Sequence, residues 1–463
     1  MALAEGDRGI GLCLYRRPRR RFPRAQKLQS LRRRRRAREP NPTYDGSVIS
    51  GATLRSRLLI FGGLYFAQGV PWGFFTVAIA LRLTSLGLSP SGLGDLMFVA
   101  ALPWAGKPVI GLLVDRLSFG RLGRRRPFIL LAEAGMALSL LAMAFANPIA
   151  DRAWFSALLF LHNLLAAAQD VGTDALAIDL LAENERSRAN GIMSAGKFAG
   201  VVLGGQGLLW LASVAGWPAA YGLAIALLLV PATLVLGVRE SPLPTQRPRL
   251  LGLTLRAFTS RVVLLAAAFA LVVDLADSFT FPLSYPLFRN QLGFSEQQVA
   301  SLATIGGIVS ALGALLGGAL GDRLGCRRTL LGACLGVAGL NLAFSACRGL
   351  WGHFPVLLAY TAVEGIMVGV VYATTLALFM DLTNPRVAAT QFQIYMALLN
   401  IKDAWAQKLG GRLAERISAP TMFGLAAIIE VLPLVLLPWL DARRAQADFA
   451  RETTPCARDA GNA

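Results

Sequence analysis

Ionisable side chains interrupt the most apolar stretches of this chain of 463 residues. A charged group at the centre of a membrane helix costs about 2.5–3.5 kcal/mol on insertion scales, so such residues are expected to be functional. Acids outnumber bases among them, so the surplus carboxyl groups must be protonated, hydrated or hydrogen-bonded, which is the chemistry of a proton-coupled carrier. These ionisable residues are Lys107, Glu133, Asp170, Asp174, Lys197, Asp274, Asp277, Glu364, Lys402, Asp403 and Glu430.

Two of these acids, Asp170 and Asp174, are four residues apart and therefore share one face of a helix. Ionising both carboxyl groups in a low-dielectric site has a large free-energy cost, so one of them is expected to hold a proton. Lys197, in the next apolar stretch, would favour ionisation of the acid that it approaches, and a substrate anion could compete for it. The alternative is a static ion pair between the two helices. Lys107 lies near the end of its stretch, and its role stays open.

The second half of the chain carries the other charged candidates for proton or substrate binding. The mid-membrane lysines are expected to hold a substrate carboxylate or phosphate, while the acids carry the proton. These further candidates are Asp274, Asp277, Glu364, Lys402 and Asp403.

In the first apolar stretch, Gln68 is followed by Gly69 and Pro71. Glycine and proline weaken a helix there and free backbone polar groups, which membranes tolerate only beside protein or water. The segment is interpreted either as a bend that contacts a ligand or as a packing kink, and Gln68 is taken as a candidate site residue.

Membrane helices are the elements that must position these residues. Hydrophobic residues make up 55% of the chain, and only 16% are charged, against about a quarter in soluble domains. A bilayer core of about 30 Å takes about 20 apolar residues per helix. The sequence predicts an all-α membrane protein with twelve transmembrane helices, at 57–83, 93–114, 128–146, 154–178, 190–213, 219–238, 261–283, 297–320, 329–346, 354–380, 390–411 and 420–440.

Arginine is concentrated in the loops on one side of these helices, which predicts that this side and both termini are cytoplasmic. A longer connection, which contains three prolines, is interpreted as a linker between two halves. The predicted parts are a basic, disordered tail at 1–54, a six-helix bundle at 55–238, a cytoplasmic linker at 239–260, a second six-helix bundle at 261–440 and a cytoplasmic tail at 441–463.

The segment 1–54 carries 14 basic residues against four acidic ones. Its arginine clusters would suit anionic lipid or nucleic acid. The simpler interpretation is a solvated tail, or sequence upstream of the true start, so no nucleic-acid partner is expected. The five cysteines are scattered and there are only two histidines, so neither a metal site nor a cofactor is expected.

The two halves repeat one another at a nearly constant offset, which indicates duplication of a six-helix unit. The matched pairs are Asp115 and Asp322 at 207 positions, Asp179 and Asp381 at 202, and Lys197 and Lys402 at 205.

A loop pattern of the form Gly-x-Leu-x-Asp-Arg, followed by Gly-x-Arg-Arg, occurs after the second and the eighth predicted helix. It resembles the loop signature of the major facilitator superfamily, and the resemblance covers residues 57–440. It implies two pseudo-symmetric six-helix bundles. The loop charges are interpreted as a latch that stabilises one conformation, or else as determinants of topology alone. The latch candidates are Asp115, Arg116, Arg124, Asp322, Arg323 and Arg327.

Three stretches resemble a narrower family of muropeptide permeases and acetyl-CoA transporters, which includes importers of small siderophores. They are Tyr-Phe-Ala-Gln-Gly-Val-Pro at 65–71, Gln-Asp-Val-Gly-Thr-Asp-Ala at 169–175 with Gly-Lys-Phe-Ala-Gly at 196–200, and Glu-Gly-Ile-Met-Val-Gly at 364–369 with Ala-Thr-Gln-Phe at 389–392. This resemblance implies secondary transport, which in the bacterial members is proton-linked uptake. Asp170, Asp174, Lys197 and Glu364 match charged positions of its motifs.

We therefore expect a monomeric, proton-linked importer of a polar organic solute, of muropeptide, siderophore or acyl-CoA type, in the cytoplasmic (inner) membrane of a bacterium. An exporter of drugs or metabolites is the nearest alternative. A sensor derived from a transporter, with the basic tail as its output element, is another. An integral-membrane enzyme is disfavoured because no nucleophile motif, phosphate-binding loop or His/Cys/Asp cluster is present.

Overall fold

The computed structural model describes residues 53–116, 123, 125–181, 185–238, 240, 260–383, 388–441 and 445. Twelve helical spans follow one another in this part of the chain and confirm the predicted all-α architecture. They are α1 Leu54–Ser85, α2 Pro90–Ala105 continued by Lys107–Arg116, α3 Arg125–Phe145, α4 Arg152–Leu180, α5 Arg186–Val202 continued to Ala215, α6 Trp217–Gly237, α7 Arg261–Gln291, α8 Glu296–Leu324, α9 Cys326–Ala346, α10 Phe354–Asp381, α11 Ala388–Ala414 and α12 Ala419–Trp439. Their ends lie within about four residues of those expected, except that α7 continues to Gln291 instead of ending at 283. The predicted tails and linker lie outside the described residues, apart from their edges.

Ten of these spans are long and apolar enough to cross a membrane by composition alone. The other two, α4 and α11, are 29 and 27 residues long. Polar and charged residues dilute their apolarity, because α4 contains Asp170 and Asp174 and α11 contains Lys402 and Asp403. The length of these two helices nevertheless fits a membrane span.

Glycines allow the backbones of neighbouring helices to approach closely. A Cβ atom at Gly200 of α5 would collide with the carbonyl oxygen of Phe66 in α1. In the second half, a Cβ atom at Gly369 of α10 would collide with the carbonyl oxygen of Ser310 in α8. Helices in lipid associate through such close packing rather than through hydrophobic burial, so these contacts hold each half together.

The seventh span is broken in its middle. Asp274 adopts a left-handed backbone conformation with φ of 56° between the helical segments Arg261–Ala270 and Leu275–Pro286. This conformation costs of order 1–3 kcal/mol for a residue with a side chain. The Lys402 ammonium of α11 donates hydrogen bonds to the carbonyl oxygens of Val273 and Asp274, both at 2.9 Å, and so satisfies acceptors at the break.

The two halves meet where α1 ends and α2 begins. The Tyr285 hydroxyl of α7 donates to the carbonyl oxygen of Thr76 in α1 at 3.0 Å. The Asn290 side chain of α7 donates to the carbonyl oxygen of Thr84 at 3.2 Å. These bonds join the ends of α1 and α7.

Helices α2 and α11 close the same end. A Cβ atom at Gly411 would collide with the carbonyl oxygen of Pro90, so the two backbones are in direct contact. The Glu415 carboxylate accepts a hydrogen bond from the backbone N–H of Ser91 at 3.1 Å. Hydrogen bonds from Ser91 and Ser89 hold the pKa of Glu415 below its usual value, so this contact persists at neutral pH.

Candidate functional site

A central cavity of about 490 Å³ lies between the halves. Side chains from α1, α2, α4, α5, α7, α8, α10 and α11 line it. The lining residues, all within the described part of the chain, include no lysine and no arginine. Polar groups on its wall include Gln68, His162, Asn163, Asp277, Glu364, Asn400, Asp403 and Gln407.

The predicted pair on α4 lies beside this cavity and forms the centre of a buried cluster. The Asp170 carboxylate is 2.5 Å from the Lys107 ammonium of α2 and accepts a hydrogen bond from the Gln68 amide of α1, also at 2.5 Å. The Tyr65 hydroxyl of α1 donates to Asp174 at 2.5 Å. Three helices therefore converge on two carboxylates one turn apart.

The base that pairs with Asp170 is Lys107, whereas the sequence directed attention to Lys197. In the described part of the chain Lys197 makes no ion pair. Its ammonium lies 5.9 Å from the ring centre of Trp104, and that of Lys107 lies 4.8 Å from the same ring. Both cations thus approach one indole, and that indole also lines the cavity.

The glutamine beside Asp170 extends this cluster away from the cavity. The Gln169 amide donates to the Glu133 carboxylate of α3 at 3.0 Å and lies 3.5 Å from the Gln68 amide nitrogen. Glu133 is only 1% exposed. Glu133 is therefore linked to Asp170 through Gln169 and Gln68.

In the second half, Lys402 and Asp403 of α11 contact each other at 2.7 Å. The Ser278 hydroxyl of α7 donates to the same carboxylate at 2.7 Å. The Lys402 ammonium is thereby fully engaged by Asp403 and by the carbonyl groups at the break in α7. Asp403 lines the cavity, whereas Asp274 and Lys402 are not among the lining residues.

Two further predicted acids face the cavity directly. Glu364 of α10 lies 2.5 Å from the Tyr360 hydroxyl, which is also 3.1 Å from the Asn341 side-chain oxygen. Asp277 of α7 is exposed towards the cavity, and its carboxylate makes no hydrogen bond or ion pair with the residues that the structure describes.

His162 of α4 is a site residue that the sequence interpretation did not select. The Ser139 hydroxyl donates to the carbonyl oxygen of Met136 at 2.7 Å, so its oxygen is left to accept from His162 Nδ1 at 2.8 Å. We therefore assign the ring proton to Nδ1, which leaves Nε2 as an acceptor. Nε2 is buried and has no hydrogen-bond partner in the described part of the chain.

Sequence reasoning also misses Tyr65 and Tyr360 as site residues, and it leaves the role of Lys107 open. The spacing carries a partial signal for Tyr360, which is one helical turn before Glu364 and shares its face. The described residues contain no group of three or more His, Cys, Asp or Glu side chains arranged to hold a metal ion.

The second loop signature contacts the end of the last span. Arg327 donates from Nε to the carbonyl oxygen of Leu440 at 2.7 Å and lies 3.5 Å from the Asp441 carboxylate. Asp322 and Arg323 are exposed at the end of α8 and make no ion pair within the described ranges.

The first copy of this signature is only partly described. Asp115 and Arg116 form the last turn of α2, and their side chains lie outside the description, as does the whole of Arg124. The latch therefore stays a prediction.

Comparison with known proteins agrees with this architecture. The family model described as Major Facilitator Superfamily matches residues 61–401 and 267–455. The anhydromuropeptide permease of Escherichia coli (strain K12) is 27% identical over 416 residues, which cover 86% of this chain and 83% of the permease. The putative transporter AmpG 4 of Rickettsia conorii is 24% identical over 400 residues, covering 82% and 95%. These relatives confirm the resemblance to muropeptide permeases.

The fold also matches a solved transporter. The crystal structure of the nucleoside transporter NupG superposes with a TM-score of 0.65 at 13% identity, over 84% of this chain and 100% of that one. At this identity the match bears on the fold alone.

Proposed function

Because the chain belongs to the Major Facilitator Superfamily, we propose that this multi-pass membrane transporter couples proton entry to uptake of a polar organic solute across the bacterial cytoplasmic membrane. The observation that carries the proposal is the cavity between the halves, which has carboxylates on its wall and a buried acid–lysine cluster beside it. The name of the E. coli relative supports a muropeptide as the first solute to test.

Gln68 connects the cavity to the buried cluster. Its amide lies on the cavity wall and donates to Asp170 at 2.5 Å. A solute that hydrogen-bonds to Gln68 would alter this bond, and with it the balance of charge between Asp170 and Lys107. Solute binding and proton binding at Asp174 would then be coupled through one network.

The closed end of the cavity supports an alternating-access cycle. With cytoplasmic termini, as the loop arginines predict, α1 ends and α2 begins on the outer side. The structure then represents a state closed to the outside. The bundles at 55–238 and 261–440 would rock about the cavity to open that end, and a monomer holds all the residues required.

Reconstitution of the full chain in liposomes tests the function. With an imposed pH gradient, acidic outside, a labelled anhydromuropeptide should accumulate, and a protonophore should abolish the accumulation. Asp174→Asn should lose gradient-driven accumulation but keep solute counterflow. Accumulation that ignores the protonophore would refute proton coupling, and efflux from preloaded liposomes with acidic medium outside would favour an exporter.

A further inference from the structure

The polar wall of the cavity presents three carboxylates, two of which have no cationic partner among the described residues. Asp277, Glu364 and Asp403 come from α7, α10 and α11, and no lysine or arginine is among the described lining residues. The lysine nearest in sequence, Lys402, is taken up by Asp403 and by two backbone carbonyls. Asp277 and Glu364 therefore face the cavity without a cation to balance them.

Unpaired acceptors on the opposite wall also indicate a ligand that donates hydrogen bonds. His162 is 1% exposed, and its Nε2 acceptor has no partner among the residues that the structure describes. Gln68 is 3% exposed, and within the same residues its side-chain oxygen has no partner, whereas its nitrogen donates to Asp170. A buried acceptor without a partner loses the hydrogen bonds that water would give it, so a ligand that donates hydrogen bonds there would be favoured.

Aromatic rings complete the wall on this side. Trp72 and Trp104 meet edge to face with ring centres 5.9 Å apart, and both line the cavity. The ring face of an indole attracts cations and packs against the apolar face of a sugar. The volume of about 490 Å³ falls within the range of small-molecule pockets, roughly 300–1,000 Å³.

From these features we propose that Asp277 and Glu364, with Asp403, bind a protonated amino group of the transported solute, while His162 and Gln68 accept hydrogen bonds from its neutral donors. The inference rests on the proposed transport function and specifies the substrate class as a solute with a primary ammonium group. It also assigns Lys107 and Lys402 away from the substrate, because Asp170 and Asp403 engage their ammonium groups and neither lysine is among the lining residues.

A matched pair of probes tests this inference without a proton gradient. Chitobiose carries two protonated amines, and diacetylchitobiose has the same sugar skeleton with neutral amides. Binding to the purified full chain in detergent is measured by calorimetry at a pH where the amines are charged. Wild type should prefer chitobiose by roughly tenfold or more, as expected for a charge-assisted hydrogen bond.

Single-residue variants test which side chains cause the preference for chitobiose over diacetylchitobiose. Asp277→Asn and Glu364→Gln should each bring the ratio of the two affinities close to one while changing the affinity for diacetylchitobiose little. Asp151→Asn, the same chemical change at an exposed residue before α4, should keep the wild-type ratio. Size-exclusion profiles identify any variant that fails to fold, and the wild-type ratio does not depend on the variants.

The outcomes separate this inference from the proposed function. Equal or weaker binding of chitobiose by wild type, or binding of neither sugar, would overturn the amine subsite even if liposome uptake is proton-linked. A preference that persists in both cavity variants would also overturn it. A preference that these variants remove would support the subsite even if uptake proves independent of protons.

Discussion

Replacing Asp170 with asparagine is expected to destabilise the protein far more than the same change at Asp174. The Asp170 side chain is 5% exposed and lies 2.5 Å from the Lys107 ammonium, so loss of its charge leaves a buried cation without a counter-ion. Breaking a buried ion pair from one side costs about 3–5 kcal/mol. Asp174 accepts a bond from the neutral Tyr65 hydroxyl, which an amide oxygen can also accept, so its replacement costs about 1 kcal/mol.

Thermal unfolding of the purified full chain in detergent measures the difference. The double variant Asp170→Asn with Lys107→Met removes both charges and should recover much of the loss, which gives a coupling energy from the cycle. Asp95→Asn is the matched control. Its side chain is 41% exposed and lies 3.9 Å from Arg152 and 4.0 Å from Lys408 and Arg412. Each exposed ion pair of this kind contributes about 0–1 kcal/mol.

The result that refutes this reasoning is an Asp170→Asn variant that unfolds at the temperature of Asp95→Asn. Asp170 and Lys107 would then not be held as a charged pair. A transport measurement separates the static role from coupling. If both amide variants at Asp170 and Asp174 accumulate solute with the wild-type pH dependence, the proton site lies elsewhere, and Asp274, Asp277 and Glu364 become its candidates.

Three further predictions concern topology and the conformational cycle. In a cysteine-free background, an impermeant reagent applied outside should label a cysteine at Ser89 and spare one at Ser241 in the predicted linker; the opposite pattern would reverse the topology. Gly411→Ala places a Cβ atom against α2 and should open the closed end, so a cysteine at Gln407 in the cavity should react faster from outside than in the parent. Unchanged labelling would show that this end is not held by the helix contact. Asp322→Asn should lower the transport rate more than solute affinity, because a latch sets conformational populations rather than pocket contacts; normal rates would leave the loop signature as a topological feature.

The helical architecture of this protein can be predicted from the sequence, because each membrane helix depends on the residues within its own segment. A membrane helix needs about 20 apolar residues in succession, and this condition places the twelve spans close to their observed ends, apart from the end of α7, which extends to Gln291. The charged residues of α4 and α11 can also be identified from the sequence, because apolar residues surround each of them. The offset of 205 positions between Lys197 and Lys402 indicates the duplication without any structure.

The partners of those charges depend on tertiary packing. Sequence places a residue at a depth along its helix, but the angle at which neighbouring helices cross decides which side chains meet. Asp170 thus pairs with Lys107 of α2 rather than with Lys197 of α5. In the same way, Lys402 is directed to the carbonyl groups at the break in α7, which only the folded backbone creates.

The character of the cavity is likewise a tertiary property. Its wall combines side chains from eight helices, and the acids that reach it come from α7, α10 and α11. The predicted spans also contain lysines, and nothing in the local sequence predicts that acids rather than lysines line the cavity. Helix packing makes that selection, because it leaves acceptors on the wall and turns the ammonium groups into the surrounding protein.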